Sequence, residues 1–105
     1  MTDEQLLRDL AEIEGYEFSE YGFRYSAAFG AVIHYQDDDF APWNPIANDA
    51  QCLALVKKHH LTLEWSSDLD IWFATARLKD GGLLQCEHPN LNTAACLAIR
   101  AAHNI

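Results

Sequence analysis

The sequence predicts an α+β fold, a layered α/β sandwich on a mainly antiparallel sheet, as a single domain over residues 1–105. Three observations carry that expectation. Apolar residues recur at helical spacing near 3–14, 48–59 and 93–103. They alternate, or form short bounded runs, near 17–25, 31–35, 61–66, 71–78 and 83–87, as strands require. Half of the residues are hydrophobic and 11% are aromatic, enough for a packed core and contrary to disorder.

Taken in order, Thr2 and Gln5 make a capping-box-like start, with Asp3 and Glu4 at the positive end of the helix dipole. Leu6, Leu7, Leu10 and Ile13 form one apolar stripe, Glu4, Arg8, Asp9 and Glu12 the polar face, and Gly15 stops the helix. From Tyr16 the spacing changes to two: Tyr21, Phe23, Tyr25, Ala27 and Phe29 alternate with smaller or polar residues. Gly22 and Gly30 interrupt that run and imply bends, a bulge or two shorter strands. Ala31 to Tyr35 is expected to pair with it as a hairpin. Gln36 to Asp39 is a polar loop, and Phe40 to Asn44 an aromatic, proline-bearing loop.

The central helix has the fullest set of signals. Asn48 can cap it, Gln51 stands where it can return the bond, Asp49 suits its first turn, and Lys57 and Lys58 its last. Cys52, Leu53, Val56 and His60 fall on one face, with Leu55 and His59 beside it. Leu61, Leu63 and Trp65 then alternate with polar residues as a one-sided strand. Ile71 to Leu78 is apolar on both sides and suits the middle of a sheet. Lys79-Asp80-Gly81-Gly82 is a hairpin turn, because the glycines accept positive φ. Leu83 to Glu87 returns as a strand, Asn92 or Thr93 caps the last helix, and the small residues around Cys96, Leu97 and Ile99 suit close packing.

The net charge is −9, and its distribution is one-sided. Residues 1–49 hold eleven carboxylates against two arginines, whereas residues 50–105 hold five charges of each sign. Such a field repels phosphate, so direct nucleic-acid binding is not expected. It favours encounter with a basic protein surface. The partner-binding candidates are Asp37, Asp38, Asp39, Glu17, Glu20 and Glu12, with Tyr21 and Trp43 as aromatic contacts. The plain alternative is that these acids serve solubility.

Motifs for chemistry are sparse. Three cysteines without paired spacing read as reduced thiols that pack in the core. His59 and His60 diverge on a helix, so they make a poor ligand pair. A composite of Cys86, His88 and Cys96 is geometrically conceivable, but metal, cofactor and nucleophile signatures are all missing. An enzyme is not expected. No apolar run approaches the length of a membrane helix, and the acidic start does not read as an export signal.

The segment Asn44-Pro45-Ile46-Ala47-Asn48-Asp49-Ala50 resembles the aromatic-Asn-Pro-Leu-Thr-Asp-Asp-Ala stretch that opens a helix in the phage ABA sandwich domain family. The closing run Ala94 to Ala102 is similar to that family's Ala-rich last helix, and the strand block Leu61 to Glu87 lies between the two. The resemblance covers roughly residues 40–105 and departs at Ala47 and Asn48, which moves the cap to Asn48. It implies a layered α/β fold and a phage or prophage origin; with the cysteines read as reduced thiols, the expected site of action is the host bacterial cytoplasm. The family has no established activity or catalytic residues. Together with the charge map it leads to one expectation: a non-enzymatic accessory protein that binds a host protein with a basic surface. Its sharpest form is an anti-CRISPR-type inhibitor occupying the nucleic-acid site of an effector subunit or nuclease. The alternative is a structural or regulatory phage protein that self-associates as a homodimer.

Overall fold

The computed structural model describes residues 3–18, 25–26, 30–34 and 40–103. Thr2, Glu20, Tyr21, Gly22, Phe23 and the Asp37-Asp38-Asp39 loop lie outside them. The fold is α+β as expected, and the chain divides into two compact units, Met1–Asn44 and Pro45–Ile105.

In the first unit, helix α1 spans Asp3–Ile13. Its leucine stripe is real, but the fourth buried position is Ala11, beside Leu6, Leu7 and Leu10, while Ile13 is half-buried. Each buried leucine contributes about 1.5–3 kcal/mol. The helix ends where Gly15 takes φ 74°, and Tyr16 N–H donates to Ala11 O at 3.0 Å, closing a Schellman-type cap. The strand expected over 17–25 is two short ones, β1 at Glu17–Phe18 and β2 at Tyr25–Ser26. Both pair antiparallel with β3, Gly30–His34, through Phe18↔Ile33 and Tyr25↔Ala31. Helix α1 packs on β3.

The other edge of β3 holds a strand where a loop was expected: β4, Phe40–Trp43, registered Ala31↔Trp43 and His34↔Phe40. Pro42 cannot donate to a ladder. Among the described residues β4 pairs only with β3, and a strand paired on one side tolerates proline. The approach of β4 also fixes Gly30. Its φ is 77°, and a Cβ there would stand 2.5 Å from Asn44 Cβ and 2.8 Å from Trp43 O.

The second unit begins with helix α2, Asp49–His59, capped as its sequence predicts: Asn48 Oδ1 accepts from Gln51 N–H at 2.9 Å. It closes with His60 at φ 54° and Leu61 N–H donating to Val56 O at 3.1 Å. Three strands follow as an antiparallel meander: β5 Thr62–Ser66, β6 Ile71–Arg77 and β7 Leu83–His88, with β6 central. The β6–β7 turn has Gly81 at φ 89° and Asp80 Oδ1 accepting from Gly82 N–H at 2.8 Å. Helix α3, Leu91–His103, covers one face of this sheet and also packs against α2. Ala74 and Ala76 of β6 meet Ala94 and Ala98 of α3, with Leu61, Leu63, Trp72 and Cys86 around them. Alanine on both surfaces lets helix and sheet approach closely.

The start of α3 differs from expectation. Its cap is Asn90, whose Oδ1 accepts from Thr93 N–H at 3.0 Å, rather than Asn92 or Thr93. The buried face of α2 also differs: Cys52 and Leu55 are buried, whereas Leu53 is half exposed and His60 forms the cap.

Candidate functional site

The acidic candidates fall in the first unit. Helix α1 keeps Asp3, Glu4, Arg8 and Glu12 exposed. Arg8 Nε lies 3.7 Å from Glu12 Oε1 with both side chains more than half exposed, a contact worth at most a few tenths of a kcal/mol. Gln5 Nε2 donates to Asp9 Oδ1 at 2.9 Å. The helix thus presents carboxylates along its solvent side, with Arg8 the one cation of the helix. Glu17 belongs to β1, paired with His34. Trp43 is not a surface contact: it is 3% exposed, and its ring meets Tyr16 edge-on at 5.2 Å and 73°. Asp37, Asp38, Asp39, Glu20 and Tyr21 lie outside the described residues.

The second unit contributes a surface cleft of about 450 Å³, built where α2, β5, β6 and the start of α3 meet. Val56, Leu63, Trp72 and Leu91 give it apolar walls, and the half-exposed Leu53 stands at its rim. Its polar end is a small network. The Asn92 side chain, 9% exposed, donates to Ile46 O at 3.1 Å and to Asp49 Oδ1 at 2.9 Å. Cys52 lines the same cleft. A hydrogen bond to Cys96 holds the Cys52 thiol below its ordinary pKa, outweighing burial and the Asp49 carboxylate, which both raise it.

A second cleft, about 360 Å³, lies beside β7 and α3 and is lined by Cys86, Glu87, Leu97 and Arg100, among others. Burial pushes the Cys86 thiol up, and the Arg100 guanidinium acts against that. Arg100 is only 9% exposed, a buried cation that the Ala-rich pattern of this helix gave no reason to expect. The composite Cys86, His88 and Cys96 does not come together as a ligand set. His88 Nδ1 accepts from Asn90 N–H at 2.9 Å, and Cys96 is engaged with Cys52. Among the described residues no three His, Cys, Asp or Glu side chains converge as metal ligands. The histidine contact that does form is His59 with His103, whose rings meet edge-on at 5.3 Å. Long-range pairing of this kind has no signal in local spacing.

Among the described residues no helix is long and apolar enough to cross a membrane. No protein-family model matches the chain, and no curated protein is detectably similar to it.

Proposed function

We infer that the protein acts without catalysis, by binding a basic surface of another protein through its acidic N-terminal part. The observation that supports this is the charge map: the entire net charge of −9 arises within residues 1–49, and α1 carries Asp3, Glu4 and Glu12 exposed on its solvent side. Carboxylates exposed along one helix sum their fields over a Debye length of about 10 Å and speed association with an opposite charge. A protein surface built to hold nucleic acid is the natural complement. The finer form of the reading is an anti-CRISPR-type inhibitor in a bacterial host, and it rests on the phage-family resemblance of residues 40–105.

Affinity capture from bacterial lysate tests this, comparing the native chain with two charge-reversed variants: Asp3, Glu4 and Glu12→Lys, and Asp37, Asp38 and Asp39→Lys. The native chain is expected to retain basic nucleic-acid-binding proteins at low salt and release them at about 0.5 M salt, where screening reaches a few ångströms. Both variants are expected to lose them. Capture that is indifferent to salt and to charge reversal overturns the reading.

Self-association is a second reading, supported by the exposure of Leu53, Trp65, Leu69 and Leu83. A mass by light scattering that stays monomeric as concentration rises removes it.

A further inference from the structure

The charges of the second unit are sorted rather than mixed. Residues 50–105 balance five acids against five bases, and among the described residues four of the bases gather at one end. Lys57 and Lys58 occupy the last turn of α2, from which the chain passes directly into β5. Thr62 pairs with Thr75, so the start of β5 lies beside the end of β6 that carries Arg77. Lys79 follows in the β6–β7 turn. The end of α3 joins them: the rings of His59 and His103 meet at 5.3 Å, and a cleft of about 290 Å³ is lined by Arg77, Lys79, Asp80 and His103, among others. Lys57, Lys58, Arg77 and Lys79 are all exposed, whereas the fifth base, Arg100, is buried farther back in α3. The acids lie toward the opposite end. Asp68 and Asp70 belong to the β5–β6 turn, and Glu64 and Glu87 flank Phe73 from the two neighbouring strands. Asp80 is the exception, and its Oδ1 accepts from Gly82 N–H. Cations in a last turn complement the helix dipole, which accounts for Lys57 and Lys58. Arg77 and Lys79 lie outside both helices and extend the patch beyond those turns.

We propose, resting on the reading that the acidic N-terminal part binds a basic protein surface, that this basic end is one such surface and docks the acidic helix α1 of a second copy. The charges match. Helix α1 carries Asp3, Glu4, Asp9 and Glu12 against Arg8, a net charge of −3. Lys57, Lys58, Arg77 and Lys79 against Asp80 give +3. Nucleic acid is the poorer occupant, because a chain of net charge −9 repels phosphate. Each exposed ion pair contributes little, so the contact is weak and depends on several pairs acting together. It is also heterologous: α1 and the basic end are different surfaces, so every docked copy still offers one of each to the next. Association therefore continues past the dimer. The same contact occupies α1, so self-docking competes with any other basic partner for it.

The test is sedimentation equilibrium of the purified full chain over a range of concentrations, at about 0.05 M and about 0.5 M salt. At low salt the average mass is expected to rise with concentration and pass that of the dimer; at high salt it is expected to fall to the monomer. Two triple variants locate the surfaces: Asp3→Lys, Glu4→Lys and Glu12→Lys in one, and Lys57→Glu, Arg77→Glu and Lys79→Glu in the other. Each variant alone is expected to associate about tenfold more weakly or less. An equal mixture of the two is expected to restore association, because each reversed surface then meets its complement. The salt comparison uses the unmutated chain, so it decides the matter even where a variant fails to fold. A chain that stays monomeric at low salt overturns the proposal. So does association indifferent to salt, which places the contact on the exposed apolar side chains, and so does a mixture that associates no better than its components. Retention of labelled duplex DNA at low salt, lost in the Lys57, Arg77 and Lys79 variant, assigns the basic end to nucleic acid and overturns it equally. Capture of basic proteins from lysate is read separately, so the host-partner reading stands or falls without this result.

Discussion

Asn92 joins the start of α3 to the segment before α2 through two hydrogen bonds from one amide, to Ile46 O and Asp49 Oδ1. Truncating it leaves a carbonyl and a carboxylate without their donor in a partly buried site, at a cost of about 1–3 kcal/mol. Asn92→Ala is therefore expected to lower stability by about 2 kcal/mol in urea denaturation. Asn90→Ala removes only a cap and is expected to cost about 1 kcal/mol. The reverse order would reassign the two roles. Asn90, Asn92 and Thr93 are all good capping types, so local chemistry could not choose among them. The choice is made by Ile46 and Asp49, more than forty residues away in sequence. Gly30 makes a similar point. Its positive φ alone makes Gly30→Ala cost about 1–2 kcal/mol, as Gly15→Ala should. The contact with Asn44 and the Trp43 carbonyl adds to that at Gly30 only, since nothing lies within 4 Å at Gly15. Gly30→Ala is thus expected to be the more destabilising of the two in the same denaturant series.

The elements that were legible are those whose pattern is local. The β5–β6–β7 meander follows from alternation and from the Asp80-Gly81-Gly82 turn, and its observed bounds lie within a residue of the expected ones. Helix α2 was legible in extent but not in orientation. Apolar residues occupy every position from Cys52 to Val56, so periodicity cannot say which ones face inward. Strand β4 was hidden by Pro42, since only the presence of β3 beside it makes an extended Phe40–Trp43 segment a strand. The Ala-rich composition of α3 was read correctly as a close-packing surface. Its consequence is measurable: Ala98 is 0% exposed against Ala74 and Ala76. Ala98→Leu is expected to destabilise by about 1–3 kcal/mol through overpacking. A neutral effect on the denaturation midpoint would show that helix and sheet have room to spare.

For the whole molecule, charge is the property that divides the two units most sharply. Like charges on α1 repel one another, and the exposed Arg8–Glu12 pair offsets little of that. Added salt screens the repulsion, so amide-exchange protection in α1 is expected to rise between about 0.05 and 0.5 M salt while that of β6 stays level. A parallel rise in both would point to a general salt effect.

The central place of β6 governs assembly as well as shape. Both its neighbours reach it through short connections, Ser67–Asp70 and Leu78–Gly82, so the sheet can zip from its turns before any distant segment arrives. Folding speed should then depend on how readily the second turn forms. Gly81→Ala, which strains that turn at φ 89° without meeting any neighbour, is expected to slow refolding and leave the unfolding rate almost unchanged in stopped-flow chevrons.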